Sequence, residues 1–228
     1  MTTTLELYSE DIDRVHILYA LDLPGCYSEG ITEAEAIGNF PAAFTTYNEW
    51  LSGRGETVHD APTLFEIAGR FASYTIANGY EVNGLFEPER APPSREFVAR
   101  CRRLLIYSGA ELIGAAQAIP ASRGNNALAA GERSPRQVIE HVALAEYWYL
   151  SHFVDIPKRV LANHPTGSLN QFEAVHGALI NWLANIGCRQ LGSVVMDREE
   201  EWSVPKLLRR ALWHERTHTV ELSRFVRG

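Results

Sequence analysis

Two histidines near the C-terminal end of the chain have a spacing suited to metal binding. His214 and His218 are four residues apart, and residues at this spacing project from one face of an α-helix, about 40° from each other. Both imidazoles can therefore contact one metal ion, which provides half of a metal site. An accidental or purely structural pair is the alternative, and a third ligand would favour the metal site.

The segment around this pair has the pattern of a helix. Ser203 is a candidate N-cap, and Pro205 falls in the first turn, where its missing N–H costs little. Apolar residues then recur at helical spacing, namely Leu207, Leu208, Ala211, Leu212, Val220 and Leu222. The sequence therefore predicts a packed helix that carries both histidines.

Composition and charge narrow the class of protein. The 228 residues are 46% hydrophobic and 21% charged, which is typical of a soluble globular protein with one large domain or two small ones. The net charge is -7, with a basic run only at 100–103, so we expect no nucleic acid and no anionic membrane as a partner. Without a signal-like or membrane-spanning segment, and with three widely spaced cysteines, a cytoplasmic protein with free thiols is expected.

The first part of the chain has the pattern of a small sheet covered by a helix. Residues 3–8 and 15–21 are predicted to form a hairpin, and 26–29 a short third strand. Thr32 and Glu35 form a capping box, which begins a helix that ends near Leu51. Further strands are predicted at 64–67 and 80–86, and the pattern at 71–77 is compatible with either strand or helix. We therefore assign an α/β domain to residues 1–87.

The remainder of the chain changes character after a proline-rich stretch at 88–93, which we interpret as a linker. Helical patterns follow at 94–118, 134–154 and 168–187, and the fourth is the helix that begins after Ser203. Four such patterns joined by polar loops predict a four-helix bundle over 94–228. The predicted fold class is therefore α+β: a small sheet-plus-helix domain followed by an all-α four-helix bundle.

A third ligand should lie on the apolar side of another helix, because ligands in a bundle converge on its interior. His141 fits best, since Val138, Val142 and Leu144 surround it in the sequence. His152 and His176 are the alternatives. Candidate carboxylates that could orient the ligating rings are Glu140, Glu146 and Glu215, for which solvated helix surface is the ordinary explanation.

Two resemblances to known families follow from these residues. Residues 15–51, with Leu-Pro-Gly-Cys at 23–26 and the capped helix, resemble the HicB-like antitoxin domain, which we place at about 1–60. That family pairs with small RNA-cleaving toxins, and many members carry a DNA-binding tail. No such tail pattern follows the helix here, so the resemblance implies the fold with a different role.

The second resemblance covers about 94–228. Ser134 to His141, Ala145 to Trp148 and Leu212 to His218 are similar to the DinB/YfiT superfamily of four-helix-bundle, metal-dependent enzymes. The resemblance implies that His141, His214 and His218 hold a divalent metal ion, zinc or nickel above all. It also implies a low-molecular-weight thiol as a further cofactor, since relatives include thiol-dependent S-transferases and isomerases, with hydrolase activity proposed for others. Because members of that superfamily often pair, a homodimer is compatible with it.

Three neutral imidazoles leave at least one coordination position for water or substrate, as in catalytic rather than structural metal sites. A metal ion so held makes bound water or a thiol more acidic and polarises a carbonyl. The expected function is therefore a metal-dependent enzyme, a hydrolase or a thiol-dependent S-transferase, that acts on a small-molecule substrate.

Two alternatives stay open. Residues 214–218 also match the H-E-x-x-H metalloprotease signature, in which Glu215 would be the catalytic base. Such enzymes usually take a third ligand downstream, and the ten residues after His218 contain no histidine. The other alternative is a non-catalytic regulatory protein whose HicB-like domain docks a protein partner, and a small toxin-like partner is expected only in that case.

Overall fold

The N-terminal part of the chain forms a four-stranded sheet, and long helices follow it. A computed structural model describes residues 3–12, 14–157 and 167–227. The chain divides into two compact units: Met1–Ala91 with Met196–Arg209, and Pro92–Val195 with Arg210–Gly228. The mixed α/β class agrees with the sequence prediction. The assignment of residues 196–209 to the first unit was not anticipated.

The sheet of the first unit has the strand order β3-β2-β1-β4. Strands β1 (Thr4–Ile12) and β2 (Val15–Tyr19) form the predicted hairpin, and β3 (Tyr27–Gly30) pairs antiparallel with β2. Strand β4 (Leu64–Ala72) pairs parallel with β1. The parallel pairing requires a crossover, and the intervening helix supplies it.

Helix α1 (Glu33–Ser52) makes this crossover and packs on the sheet. The side chain of Thr32 accepts a hydrogen bond from the backbone of Glu35, which confirms Thr32 as the N-cap. The carboxylate of Glu35 accepts from the backbone of Ile31 and not from that of Thr32, so the reciprocal half of the predicted capping box is shifted by one residue. Its buried face consists of Ala36, Phe40, Phe44, Tyr47 and Leu51. Strand β3 approaches the helix closely: a Cβ on Gly30 would lie 2.5 Å from the nitrogen of Ala36.

The segment after β4 contains less strand than predicted. Only β5 (Tyr74–Thr75) and β6 (Glu81–Val82) pair, so the prediction of a strand over 80–86 was wrong for most of its length. Glu87–Arg90 forms a 3₁₀-helix within the segment expected to be a linker. Within 80–86, a buried carboxylate takes the place of a strand partner: Glu10 accepts a hydrogen bond from the backbone of Gly84 at 2.6 Å.

A buried arginine completes the charge balance of the first unit. The guanidinium of Arg209 donates to Glu89 at 2.6 Å, to Glu10 at 3.0 Å and to the carbonyl oxygen of Gly84 at 2.7 Å. All three side chains are buried. A buried charge requires partners of this kind, so these contacts explain why the segment that ends at Arg209 belongs to the first unit.

Four long helices follow at the predicted places. They are α2 (Arg95–Gln117), α3 (Pro135–Ser151), α4 (Ser168–Asn185) and α6 (Val204–Arg227), with the short helix α5 (Cys188–Leu191) between the last two. Ser94, Ser134 and Ser203 cap three of them through their side-chain oxygens. The hairpin of β7 (Val194–Asp197) and β8 (Glu200–Ser203) was not predicted.

The second unit has a buried apolar cluster to which all four long helices contribute: Leu112, Ile119, Val138, Ile139, Val142, Ala143, Phe172, Leu222 and Phe225. Helix α3 packs against α4, and α4 packs against α2. Among the described residues, no helix is both long enough and apolar enough to cross a membrane.

Candidate metal centre

Two helices of the second unit bring the three predicted histidines together. His141 lies on α3, next to the buried Val142, and His214 and His218 lie one turn apart on α6. His214 and His218 are 5% and 7% exposed, whereas His141 is half-buried. Solvent therefore reaches the cluster on the side of His141.

The imidazoles meet through the same ring nitrogen. Nε2 of His214 lies 3.0 Å from Nε2 of His141 and 3.1 Å from Nε2 of His218. All three ligand nitrogens lie within 4.8 Å of one another. Donors bound to one tetrahedral metal ion at about 2.0–2.1 Å are roughly 3.3–3.4 Å apart, so small movements would place an ion among these nitrogens.

Burial keeps two of these rings neutral. It lowers the pKa of His141 to about 4, with a further contribution from the positive charge of Arg133. Burial also lowers the pKa of His214 well below its ordinary value, and the neighbouring His218 and His141 act in the same direction. Both rings are therefore uncharged near neutral pH and can offer a lone pair to a metal ion.

Glu221 fixes the orientation of His218. Its Oε2 lies 2.5 Å from Nδ1 of His218, and this hydrogen bond lowers the pKa of the Glu221 carboxyl group. A carboxylate only accepts, so Nδ1 of His218 carries a proton, and in the neutral ring Nε2 then faces the cluster with its lone pair. Glu221 was not among the carboxylates predicted to orient the rings, although its spacing of three residues from His218 was an available signal for this role.

The glutamates predicted to orient the rings have other contacts. Glu140 pairs with Arg136 on the helix surface at 2.9 Å. Glu146 and Glu215 both lie 3.2 Å from Nδ1 of His176, and Glu215 also accepts a hydrogen bond from Ser108. Within the described part of the chain, Nδ1 of His214 has no hydrogen-bond partner.

The two other candidate ligands lie elsewhere. His176 belongs to the group with Glu146 and Glu215, and His152 contacts the ring of Trp148 with 4.6 Å between centroids. Burial raises the pKa of Glu146, and the positive charge of the neighbouring His176 opposes this effect. Burial lowers the pKa of His176, but the negative charges of Glu146 and Glu215 outweigh this effect and raise it well above its ordinary value.

No protein-family model, curated protein or solved structure matches this chain significantly. The function must therefore be inferred from the side chains and from the motifs of the sequence. Three converging imidazoles, at least two of them neutral, match the nitrogen ligands that zinc and nickel accept.

Proposed function

We propose that the chain is a metal-dependent enzyme whose divalent ion, zinc or nickel, is held by His141, His214 and His218. The observation that carries the proposal is the convergence of three Nε2 atoms in a mostly buried cluster. Three facing nitrogens cannot all satisfy one another by hydrogen bonds, because each neutral ring has only one N–H. One metal ion satisfies all three lone pairs.

The proposed reactions are hydrolysis or thiol-dependent S-transfer on a small molecule. An ion with three protein ligands and an open position supplies Lewis-acid chemistry, which polarises a carbonyl and makes water or a thiol more acidic. The half-buried His141 leaves a solvent-facing side through which a small substrate can approach. We name these two reaction classes because the sequence motifs around His141, His214 and His218 resemble those of the DinB/YfiT superfamily.

The resemblances noted in the sequence are also the reason for proposing a family fold for each of the two units. We infer a DinB-like four-helix bundle in the second unit, since α2, α3, α4 and α6 share one apolar cluster. For the first unit we infer a HicB-like fold, since a β-hairpin with a third strand is followed by a capped helix that packs on the sheet.

A peptidase is not proposed, because of the surroundings of Glu215. That mechanism needs this carboxylate as a base for water. Here Glu215 is fully buried, accepts a hydrogen bond from Ser108 and lies beside His176.

Elemental analysis of protein purified without an affinity tag tests the proposal. His141→Ala, His214→Ala and His218→Ala should each remove one equivalent of metal, whereas His16→Ala, a histidine of strand β2, should keep the wild-type content. Retention of that equivalent by all three variants would overturn the proposal and direct the search to protein partners of the HicB-like domain. If the equivalent is lost, ester and amide hydrolysis and transfer to glutathione are the assays to run next.

A further inference from the structure

A second group of ligand-type side chains lies in the same unit. Glu146 on α3, His176 on α4 and Glu215 on α6 place their donor atoms within 4.8 Å of one another. Nδ1 of His176 is 3.2 Å from a carboxylate oxygen of each glutamate. The group combines one nitrogen donor with two carboxylates, and each comes from a different helix.

One of the two buried carboxylates of this group has an oxygen atom without a hydrogen bond. Glu146 and Glu215 are 0% exposed. Within the residues that the structure describes, Oε1 of Glu146 has no hydrogen-bond partner, whereas Oε1 of Glu215 is the oxygen that lies 3.2 Å from Nδ1 of His176. Transfer of a carboxylate oxygen from water into the protein interior costs free energy when no new partner replaces the water. Such an atom therefore indicates a bound water or cation.

The neighbouring helix α2 holds the group in place. The hydroxyl of Ser108 donates to the second oxygen of Glu215, which limits its rotation. The imidazole of His176 lies against Gly109, where a Cβ would come within 2.6 Å of its Nε2. The ring of Phe172 also stacks on this imidazole, with centroids 5.2 Å apart. Glycine is disfavoured inside a helix relative to alanine, and here it makes room for the imidazole.

The geometry and the donor types fit a small divalent ion. Donors bound at about 2.0–2.2 Å in tetrahedral geometry are roughly 3.3–3.6 Å apart, close to the 3.2 Å between Nδ1 of His176 and each carboxylate. One imidazole with two carboxylates suits zinc, manganese or iron, whereas it lacks the thiolates that copper(I) selects. We infer that Glu146, His176 and Glu215 form a second divalent metal site, separate from the three-histidine centre.

The stoichiometry of Zn²⁺ binding tests this inference independently of the first site. Full-length chain stripped with a chelator is titrated with Zn²⁺, and bound metal is measured after desalting. The wild type should take two equivalents, and Glu146→Gln and His176→Asn should each take one. His214→Ala should also take one, and the Glu146→Gln, His214→Ala double variant none. Glu173→Gln, an exposed glutamate on α4, is the matched control and should take two.

A milder substitution is included because removal of a ligand could also unfold the chain. Circular dichroism checks the folding of every variant. Ser108→Ala keeps all three ligands, and we expect it to lower the affinity of the second site for Zn²⁺ about 10-fold or more. A wild type that saturates at one equivalent, lost in His214→Ala and kept in Glu146→Gln, would overturn the inference and leave the group as an internal ion pair. The reverse pattern, with the single equivalent lost in Glu146→Gln and kept in His214→Ala, would support it and reject the three-histidine centre.

Discussion

The carboxylate of Glu221 lies 2.5 Å from Nδ1 of His218, three residues earlier on the same helix. This contact makes the ring a donor on its outer side and leaves Nε2 as an acceptor on the inner side, where His214 lies at 3.1 Å. A carboxylate in this position also increases the electron density that the imidazole offers to a metal ion. Glu221 is therefore a positioning residue, although it does not contact the metal position itself.

Replacing Glu221 tests this role. Glu221→Gln keeps an acceptor for the Nδ1–H of His218 but removes the negative charge, so the affinity of the three-histidine centre for Zn²⁺ should fall about 10-fold. Glu221→Ala also removes the acceptor and should lower it roughly 10- to 100-fold. Competition with a chromophoric chelator measures both affinities.

The control for this experiment is Glu173→Gln, which removes an exposed carboxylate of α4. Its Zn²⁺ affinity should equal that of the wild type. Equal affinities in Glu221→Ala and the wild type would show that Glu221 does not orient His218.

The three-histidine cluster could be predicted because most of its information is local. Two of the residues share a helix face through their spacing, and the apolar neighbours of His141 place it on the inner side of another helix. The group of Glu146, His176 and Glu215 involves three helices with no common spacing. Their convergence depends on how the helices are rotated against each other, which periodicity in one sequence does not determine.

The fold shows the same division between local and long-range information. Serine caps lie where three of the long helices begin, and Ser203 among them was named as a candidate from the sequence. The hairpin of β7 and β8 was missed because its turn lacks glycine, and Arg198 adopts the left-handed conformation there with φ of 58°. The prediction of a strand over 80–86 was wrong for most of its length because Glu10 and Arg209, which are far away in the sequence, bind the backbone of Gly84.

The buried charges of the first unit predict a large effect on stability. Arg209→Met would leave Glu10 and Glu89 buried without their cation, and removing one partner of a buried pair costs about 3–5 kcal/mol. Urea unfolding followed by circular dichroism should show this loss of free energy of unfolding. The comparison variant is Arg136→Met, which breaks a surface pair on α3 and should change the value by about 0.5 kcal/mol or less. A similarly small change in Arg209→Met would contradict the buried-pair interpretation.

A surface pair in the same unit predicts a pH dependence. Arg70 binds Glu33 with two hydrogen bonds, of 2.8 and 3.2 Å. The pKa of Glu33 is lowered, and hydrogen bonding to Arg70 is the largest cause. Because the folded state then releases the proton more readily than the unfolded state, the pair stabilises above the unfolded pKa, and the effect disappears as the pH falls through the lower folded pKa.

Glu33→Gln should therefore lower the urea midpoint slightly at neutral pH, and its difference from the wild type should vanish toward about pH 3. The effect is small because the pair is largely exposed to solvent, and added salt should reduce it further. Glu49→Gln, on the exposed face of the same helix, serves as the control and should show no such trend. A difference that persists unchanged at pH 3 would exclude the ion pair as its cause.

Metal removal should change the thermal stability of the second unit. An ion that binds only the folded chain stabilises it by about 2.7 kcal/mol at 100 times its dissociation constant, which for a domain of this size raises Tm by roughly 5–10 °C. The measurement uses the Glu146→Gln background, so that only the three-histidine centre contributes. Zn²⁺ should raise Tm in that background and a chelator should reverse the rise, whereas adding His218→Ala should abolish it. An equal rise with His218→Ala would place the ion outside the cluster that joins α3 and α6, because Nε2 of His218 is one of its three nitrogens.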